Sequence, residues 1–165
     1  MKRFLSVCMA CILVLATISC SDEYADGNDG YVDLGLTSGT QWKTENEEGF
    51  ITYDVAHYEF GNRLPSNDDW TELHEECDWT FAVVNEKVTA TIKGPNGNSI
   101  QLPLEGYTNC SGEFQERFWN QGRYWSSTTS SSSYGYCCMF DATGFLAMFP
   151  MEMCDGMSLR LIHKK

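Results

Sequence analysis

The side chains able to act as nucleophiles, bases or metal ligands are three histidines, eight cysteines and a serine-rich stretch. His57, His74 and His163 share no short spacing, so a common centre would need ligands gathered from three separate places with a supporting shell around them. Surface or capping histidines are the simpler expectation. Ser126, Ser127 and the serines at 130–133 offer hydroxyls, but the Gly-x-Ser-x-Gly turn that lifts a nucleophilic serine out of a strand is absent. A solvated link is expected there, and no catalytic residue is assigned.

The cysteines sort by position. Cys8 and Cys11 lie in an apolar leader and Cys20 at its end, which leaves Cys77, Cys110, Cys137, Cys138 and Cys154. An odd number in an oxidising compartment leaves at least one thiol unpaired within the monomer. Cys137 and Cys138 are adjacent, so on a strand they point to opposite faces, and no close double pair of the zinc kind occurs. Burial or a single disulfide is expected rather than a metal site. The Asp-x-Asp-x-Asp-Gly spacing of calcium loops is also absent. No metal and no cofactor is assigned.

Lys2 and Arg3, an apolar run at 4–15 and small residues before Cys20 have the order of an export signal, too short to anchor as a bilayer-spanning helix. Leu15-Ala16-Thr17-Ile18-Ser19-Cys20 resembles a bacterial lipoprotein signal, with Cys20 as the first mature residue and the site of lipid attachment. Thr17 stands where such signals usually carry Leu. Ser21-Asp22-Glu23 resembles the acidic tags of some Bacteroidetes lipoproteins displayed on the outer leaflet. Residues 1–19 are read as the signal and 20–30 as an acidic flexible tether. The localisation expected is the cell envelope, as an outer-membrane lipoprotein with possible display at the surface.

Cleavage leaves 146 of 165 residues, enough for one domain at 31–165, and takes the formal charge from -12 to -14. So acidic a surface repels phosphate backbones, which excludes nucleic acid as the expected partner. It repels anionic lipid heads too, so the membrane is reached through acyl chains on Cys20.

The elements follow from spacing. Val32, Leu34 and Leu36 alternate with Asp33 and Gly35 as a half-buried strand, and Ser38-Gly39 turns the chain into a second strand at Trp42. Thr52 is placed as cap of a short helix with Val55, Ala56 and Phe60 on one side and Gly61 as its stop. Ser66 with Asp69 forms a capping box for a second helix that buries Trp70, Leu73 and Cys77. From Asp78 the period is two: strands at 79–84 and 87–92 around Asn85-Glu86, a turn at 94–98, and a strand at 99–104 whose Pro103 marks an edge or end. A partly aromatic loop at 106–122 precedes strands at 124–128, 134–141, 145–149 and 157–162. Tyr124 and Trp125 beside Ser126 and Ser127 predict a strand with one face in the core and the other at the surface. Leu34, Trp42, Leu64, Trp70, Trp125 and Leu161 are expected in a single interior, with the two chain ends side by side. No repeat of about 20 to 50 residues recurs, and helices early with antiparallel strands late make an α+β domain.

Asp33-Leu34-Gly35-Leu36-Thr37-Ser38-Gly39-Thr40-Gln41-Trp42, Arg63-Leu64-Pro65 with Trp70 and Leu73, Cys77-Asp78-Trp79-Thr80, Gly94-Pro95-Asn96-Gly97-Asn98-Ser99-Ile100 with Leu102-Pro103, Tyr124-Trp125-Ser126-Ser127, and Ser158-Leu159-Arg160-Leu161-Ile162 stand in order along the chain. Together they resemble the Fibrobacter succinogenes major paralogous domain family. The resemblance implies a C-type lectin-like fold, two short helices packed on antiparallel sheets, and kinship with formylglycine-generating-type domains. It also implies a secreted or lipoprotein component without a defined activity. The family's Trp-x-x-Cys-Asn pattern reads Trp42-Lys43-Thr44-Glu45-Asn46 here, so if Cys77 pairs with that cysteine its partner is missing. Cys77 is then a buried thiol or re-paired with Cys110 or Cys154. The Glu-Pro-Asn, Gln-Pro-Asp and Trp-Asn-Asp triplets of calcium-dependent sugar binding are absent.

Aromatic residues concentrate in the last third, and those exceeding core needs fall in loops rich in Ser and Gly, as in binding surfaces. Phe114, Phe118, Trp119, Tyr134 and Tyr136 form the candidate ligand-binding surface. The expected function is a non-catalytic binding or adhesion module for a glycan or protein ligand. Two alternatives stand beside it. One is a variable protein of a diversity-generating retroelement, with residues 134–157 as the variable segment. The other is a formylglycine-generating-type oxidase, for which Cys137-Cys138 has the wrong spacing.

Overall fold

The computed structural model describes residues 30–165, so the signal, Cys20 and the tether up to Asp29 lie outside the described residues. The fold is mixed α+β, with antiparallel strand pairing and two short α-helices. None of the helices among the described residues is long and apolar enough to cross a membrane.

β1 (Tyr31–Asp33) pairs with β2 (Gln41–Lys43), whose other edge pairs with β11 (Ile162–His163), so the two ends of the domain meet on either side of Trp42. Ion pairs Lys165–Asp33 and Lys164–Asp69 tie the last residues to the first strand and to the start of the second helix. β3 (Ile51–Thr52) pairs with β10 (Gly156–Met157). The segment expected as one strand at 157–162 is therefore two short strands, with residues 158–161 irregular between them. That segment lies against β2 and the 121–129 strand: Lys43 and Glu47 donate to Leu161 O and Leu159 O, and Trp125 N donates to Ser158 O.

α1 (Tyr53–Phe60) starts at Thr52 without a side-chain cap and stops at Gly61, whose φ of 50° suits glycine. Its buried side is Tyr53 and Ala56, and Val55 is 44% exposed. The expected stripe is displaced because Tyr53 has more apolar surface to bury and meets Trp125 edge-on at 5.1 Å. α2 (Asn67–Glu76) has the expected capping box: Asp69 N donates to Ser66 Oγ, and Ser66 N to Asp69 Oδ2. Trp70 and Leu73 are fully buried, and Cys77 ends the helix.

β4 (Asp78–Val84), β5 (Lys87–Lys93) and β6 (Ser99–Pro103) form one sheet, with Asn85 and Glu86 both at positive φ in the first hairpin. Pro103 closes edge strand β6, as its missing N–H requires. The 94–98 turn lies on the first strand region: Asn96 and Asn98 amides donate to Asp33 O, and a Cβ at Gly94 would meet Leu34 O at 2.1 Å.

β7 (Gln121–Thr129), β8 (Tyr134–Asp141) and β9 (Leu146–Glu152) make the last sheet. The expectation of a one-sided β7 fails, since every residue from Gly122 to Ser126 is buried. Tyr124 belongs to a core with Leu34, Trp42, Trp70, Leu73, Ile92, Leu102, Cys138 and Phe140. Trp125 belongs to another with Tyr53, Ala56, Leu64, Cys137, Met157, Leu159 and Leu161. The six side chains expected in one interior are all buried, but β7 and β8 divide them between two. Period two then places Cys138 on the first side and Cys137 on the second.

Candidate functional site

Among the described residues, neither the histidines nor the free thiols come together as a catalytic group. His57 lies on Tyr53, His74 on Trp79 and His163 on Tyr31. Cys77, Cys137 and Cys138 are free thiols. Burial pushes Cys77 up to about 11 and Cys137 up to about 12, and burial, with Cys137 beside it, holds Cys138 well above the ordinary thiol range. Their thiolates are scarce near neutrality, the opposite of a reactive cysteine. The pair that the fold brings together is the Cys110–Cys154 disulfide, so Cys77 is not re-paired. Glu152 Oε2 lies 3.2 Å from Cys110 Sγ, and these three exposed residues form a metal-sized group. In a disulfide the sulfurs carry no thiolate, which leaves Glu152 as its one charged donor.

The site with both shape and chemistry lies where the loop after β2, the β4–β5 hairpin and the 106–120 loop meet. Its floor is a buried polar network. Arg160, 1% exposed, donates through Nη1 to Lys43 O at 2.6 Å, through Nη2 to Gln101 O at 2.6 Å and through Nε to Asn46 Oδ1 at 2.9 Å. Asn46 Nδ2 donates to Tyr124 Oη at 3.1 Å, and that hydroxyl donates to Pro103 O at 2.7 Å. Burial lowers the Arg160 pKa, opposed by Tyr124 and by the charges of Glu45, Glu105 and Glu47. Burial likewise raises the Tyr124 hydroxyl, which stays protonated and able to donate. The network joins β2, β6, β7 and the 158–161 segment.

Above this floor is a polar groove of about 530 Å³ whose lining includes Glu45, Glu48, Asn85, Lys87 and Glu105. Lys87 and Glu105, an ion pair, also line a neighbouring pocket of about 310 Å³ completed by Phe50, Glu86, Leu104, Phe114 and Trp119. Phe50 and Phe114 stack with centroids 6.0 Å apart, and Trp119 is 54% exposed.

The loop that carries Phe114 and Trp119 is fastened along its length. Thr108 and Gly156 exchange backbone hydrogen bonds at 2.9 Å, Asn109 Oδ1 accepts from Ser111 N and Glu113 N, and Cys110 is bonded to Cys154. The Arg123 guanidinium lies over the paired Tyr107 and Phe118 rings, 4.7 and 4.6 Å from their centroids. Gly106 has φ +70°, and a Cβ there would lie 3.0 Å from Phe118 O and 3.2 Å from the Phe114 ring.

The candidate aromatics therefore do not form one surface. Phe114 and Trp119 share the apolar pocket, and Phe118 is packed beneath them against Arg123. Tyr134 lines a separate groove of about 370 Å³ with Asp54, Ser133 and Glu152, and its hydroxyl donates to Glu152 at 3.4 Å. Tyr136 is half-buried on β8 and lines neither cavity. Sequence reasoning missed Phe50, Lys87, Glu105 and the Arg160–Asn46–Tyr124 floor. Arg160 alone carried a signal, as a charged residue inside an otherwise apolar run. No protein-family model matches the chain, and no curated protein or solved structure matches it.

Proposed function

We propose that this chain is a lipid-anchored cell-envelope module of the C-type lectin-like class that binds a ligand without catalysis, in the joined groove and aromatic pocket. The pairing of the domain's two ends around Trp42, and two short helices on antiparallel sheets, support that class. One observation carries the binding reading: Trp119 and Phe114 stand exposed on a loop fastened from below, at the edge of a polar groove. Holding large apolar rings in water gains nothing for stability, whereas it pre-organises a recognition surface. The retroelement alternative needs its variable side chains turned outward. Cys137, Cys138 and Met157 are buried instead, and Met139, Met148 and Met151 pack on the cores, which favours packing as their role.

Glycan and protein arrays probed with the full chain in a non-ionic detergent test this reading. Binding that is lost in Trp119→Ala is expected, and binding indifferent to Trp119 would overturn the site. Mass spectrometry of the membrane-extracted protein tests the anchor: acylated Cys20 at the mature end is expected, and any other mature end removes it.

A further inference from the structure

Resting on the groove as the binding site, we infer that its ligand presents an alkyl ammonium group, and that Lys87 occupies the ammonium position in the free protein. The rim carries more carboxylates than the buried Arg160 draws on: Glu45, Glu47 and Glu105 favour its charge, while Glu48 and Glu86 do not enter that balance. Glu45, Glu48 and Glu86 take no part in the ion pairs of the described residues, and Glu105 is held only by Lys87. Phe50, Phe114 and Trp119 line the pocket that Glu105 and Glu86 share. Aromatic faces next to carboxylates attract a cation with an apolar stem, through ring quadrupole and charge together. An anion is disfavoured, because the Arg160 guanidinium lies under the floor with Nε, Nη1 and Nη2 all turned to protein oxygens. The formal charge of -12 draws cations toward the molecule as a whole.

Lys87 fixes the ammonium position because it lines both cavities and its Nζ donates to Glu105 Oε1 at their junction. The Lys87 side chain is 60% exposed and that of Glu105 is 25% exposed. An exposed pair of this kind holds by about 1 kcal/mol or less, so an incoming ammonium displaces the lysine at small cost and takes over the carboxylate. The lysine is a built-in competitor. This chemistry is common to a free amine, a peptide lysine and an amino sugar.

The test titrates the full chain in non-ionic detergent and follows tryptophan emission, with Trp119→Phe as the variant that removes the reporting ring. Trp42, Trp70 and Trp125 are fully buried and Trp79 is half-buried, which leaves Trp119 as the most exposed indole. The probes are butylamine with butanol as its neutral counterpart, N-acetyl-lysine amide, and glucosamine with N-acetylglucosamine as its neutral counterpart. Amines are expected to shift the emission and neutral counterparts not to, and the strongest of the three amines names the source. Lys87→Met is expected to tighten amine binding up to about fivefold. Glu105→Gln is expected to weaken it at least about fivefold. Lys93→Met and Glu75→Gln, which make the same changes of net charge away from the groove, separate a built site from a generally acidic surface: they are expected to leave amine affinity unchanged, and effects as large as those of Lys87→Met and Glu105→Gln would overturn the built site. Circular dichroism confirms that each variant is folded. Neutral probes binding as well as amines would overturn the ammonium while leaving the groove as the binding site. An unchanged or weaker amine affinity in Lys87→Met overturns the displacement. Array ligands that bind independently of Trp119, with no probe shifting its emission, overturn the groove and this inference together.

Discussion

β7 and β8 separate two cores that are closed in different ways. On the Tyr124 side, α2 and the β4–β6 sheet enclose aliphatic and aromatic side chains, and Trp42 lies against Trp70 with ring centroids 4.8 Å apart. The indole N–H of Trp42 is buried without a partner. On the Trp125 side the rings are tethered by hydrogen bonds: Trp125 Nε1 donates to Ile51 O at 2.8 Å and Tyr53 Oη to Ser127 O at 3.1 Å. In the first core Trp70 Nε1 reaches Trp125 O at 3.4 Å, Trp79 Nε1 donates to Leu73 O at 3.2 Å and Tyr124 Oη to Pro103 O at 2.7 Å, so Trp42 is the one ring there, among the described residues, whose buried donor is left to packing alone. The second has fewer apolar side chains and leaves no indole unpaired, and it lies beside the β9–β10 turn that the disulfide joins to the aromatic loop.

The contrast is broken most forcefully at the two tryptophans. Trp42→Ala and Trp125→Ala should each cost about 3–5 kcal/mol in urea unfolding, because either leaves a large cavity in a filled interior. The phenylalanine variants distinguish the cores. Trp125→Phe strands Ile51 O and should cost about 1–2 kcal/mol beyond lost packing, whereas Trp42→Phe forfeits no hydrogen bond and should cost less. Equal costs would mean that the cores are closed in the same way.

Next in size is the disulfide, which closes a loop across 44 residues between the aromatic loop and the β9–β10 turn. Replacing both cysteines by serine should lower stability by about 2–4 kcal/mol, chiefly through the unfolded chain's regained freedom. The effect should be local in hydrogen exchange, with amides of residues 106–120 opening while β4–β6 stay protected. Uniform loss of protection would refute the division into two sides.

Each core also buries one thiol completely, with Cys77 partly buried against the first, and alkaline pH probes both cores. Burial raises Cys137 to about 12 and holds Cys138 well above 9.0, so the folded chain keeps protons that the unfolded chain releases above 9.0. Their contribution is complete below pH 9 and is lost as pH rises toward the folded values, about 1 kcal/mol per thiol at pH 10. Cys77, raised to about 11 by burial, adds a like share, so Cys137→Ala and Cys138→Ala should each flatten about a third of that slope in denaturation midpoints taken between about pH 8 and 10. A slope that neither variant changes would place the titration elsewhere.

Local patterns made much of this legible in advance. Ser66 and Asp69 announced α2, Asn85-Glu86 and the 94–98 turn announced two hairpins, and the alternation of Cys137 and Cys138 announced opposite faces. These features depend on residues near one another in the chain. The second core was not legible, because a strand buried on both faces differs from a one-sided strand only in what covers it, and the small hydroxyls of Ser126 and Ser127 suggested a surface face. The groove was less legible still. Asn46, Pro103, Tyr124 and Arg160 are distant in sequence and meet only because residues 158–161 run beside β2 and β7. Phe114 and Trp119 were readable as surplus aromatics, but their separation from Tyr134 follows from the path of the loop.

The smallest effect belongs to His57, which rides on α1 over Tyr53 at a centroid distance of 4.2 Å, with Nε2 buried and unpartnered. Burial lowers its pKa from 6.5, and Asp54 nearby partly restores it. The folded state thus resists a proton that the unfolded chain accepts, so stability is full above pH 6.5 and declines as pH falls below it. The residue is only partly buried, so solvent screening keeps the effect under about 1 kcal/mol. Thermal midpoints measured from pH 7.5 down to 5.5 should fall in the parent protein and fall less in His57→Phe, which keeps the ring contact with Tyr53 but cannot titrate. An unchanged acid limb would show that the imidazole is solvated when charged, and that the second core is looser at α1 than its hydrogen-bonded rings imply.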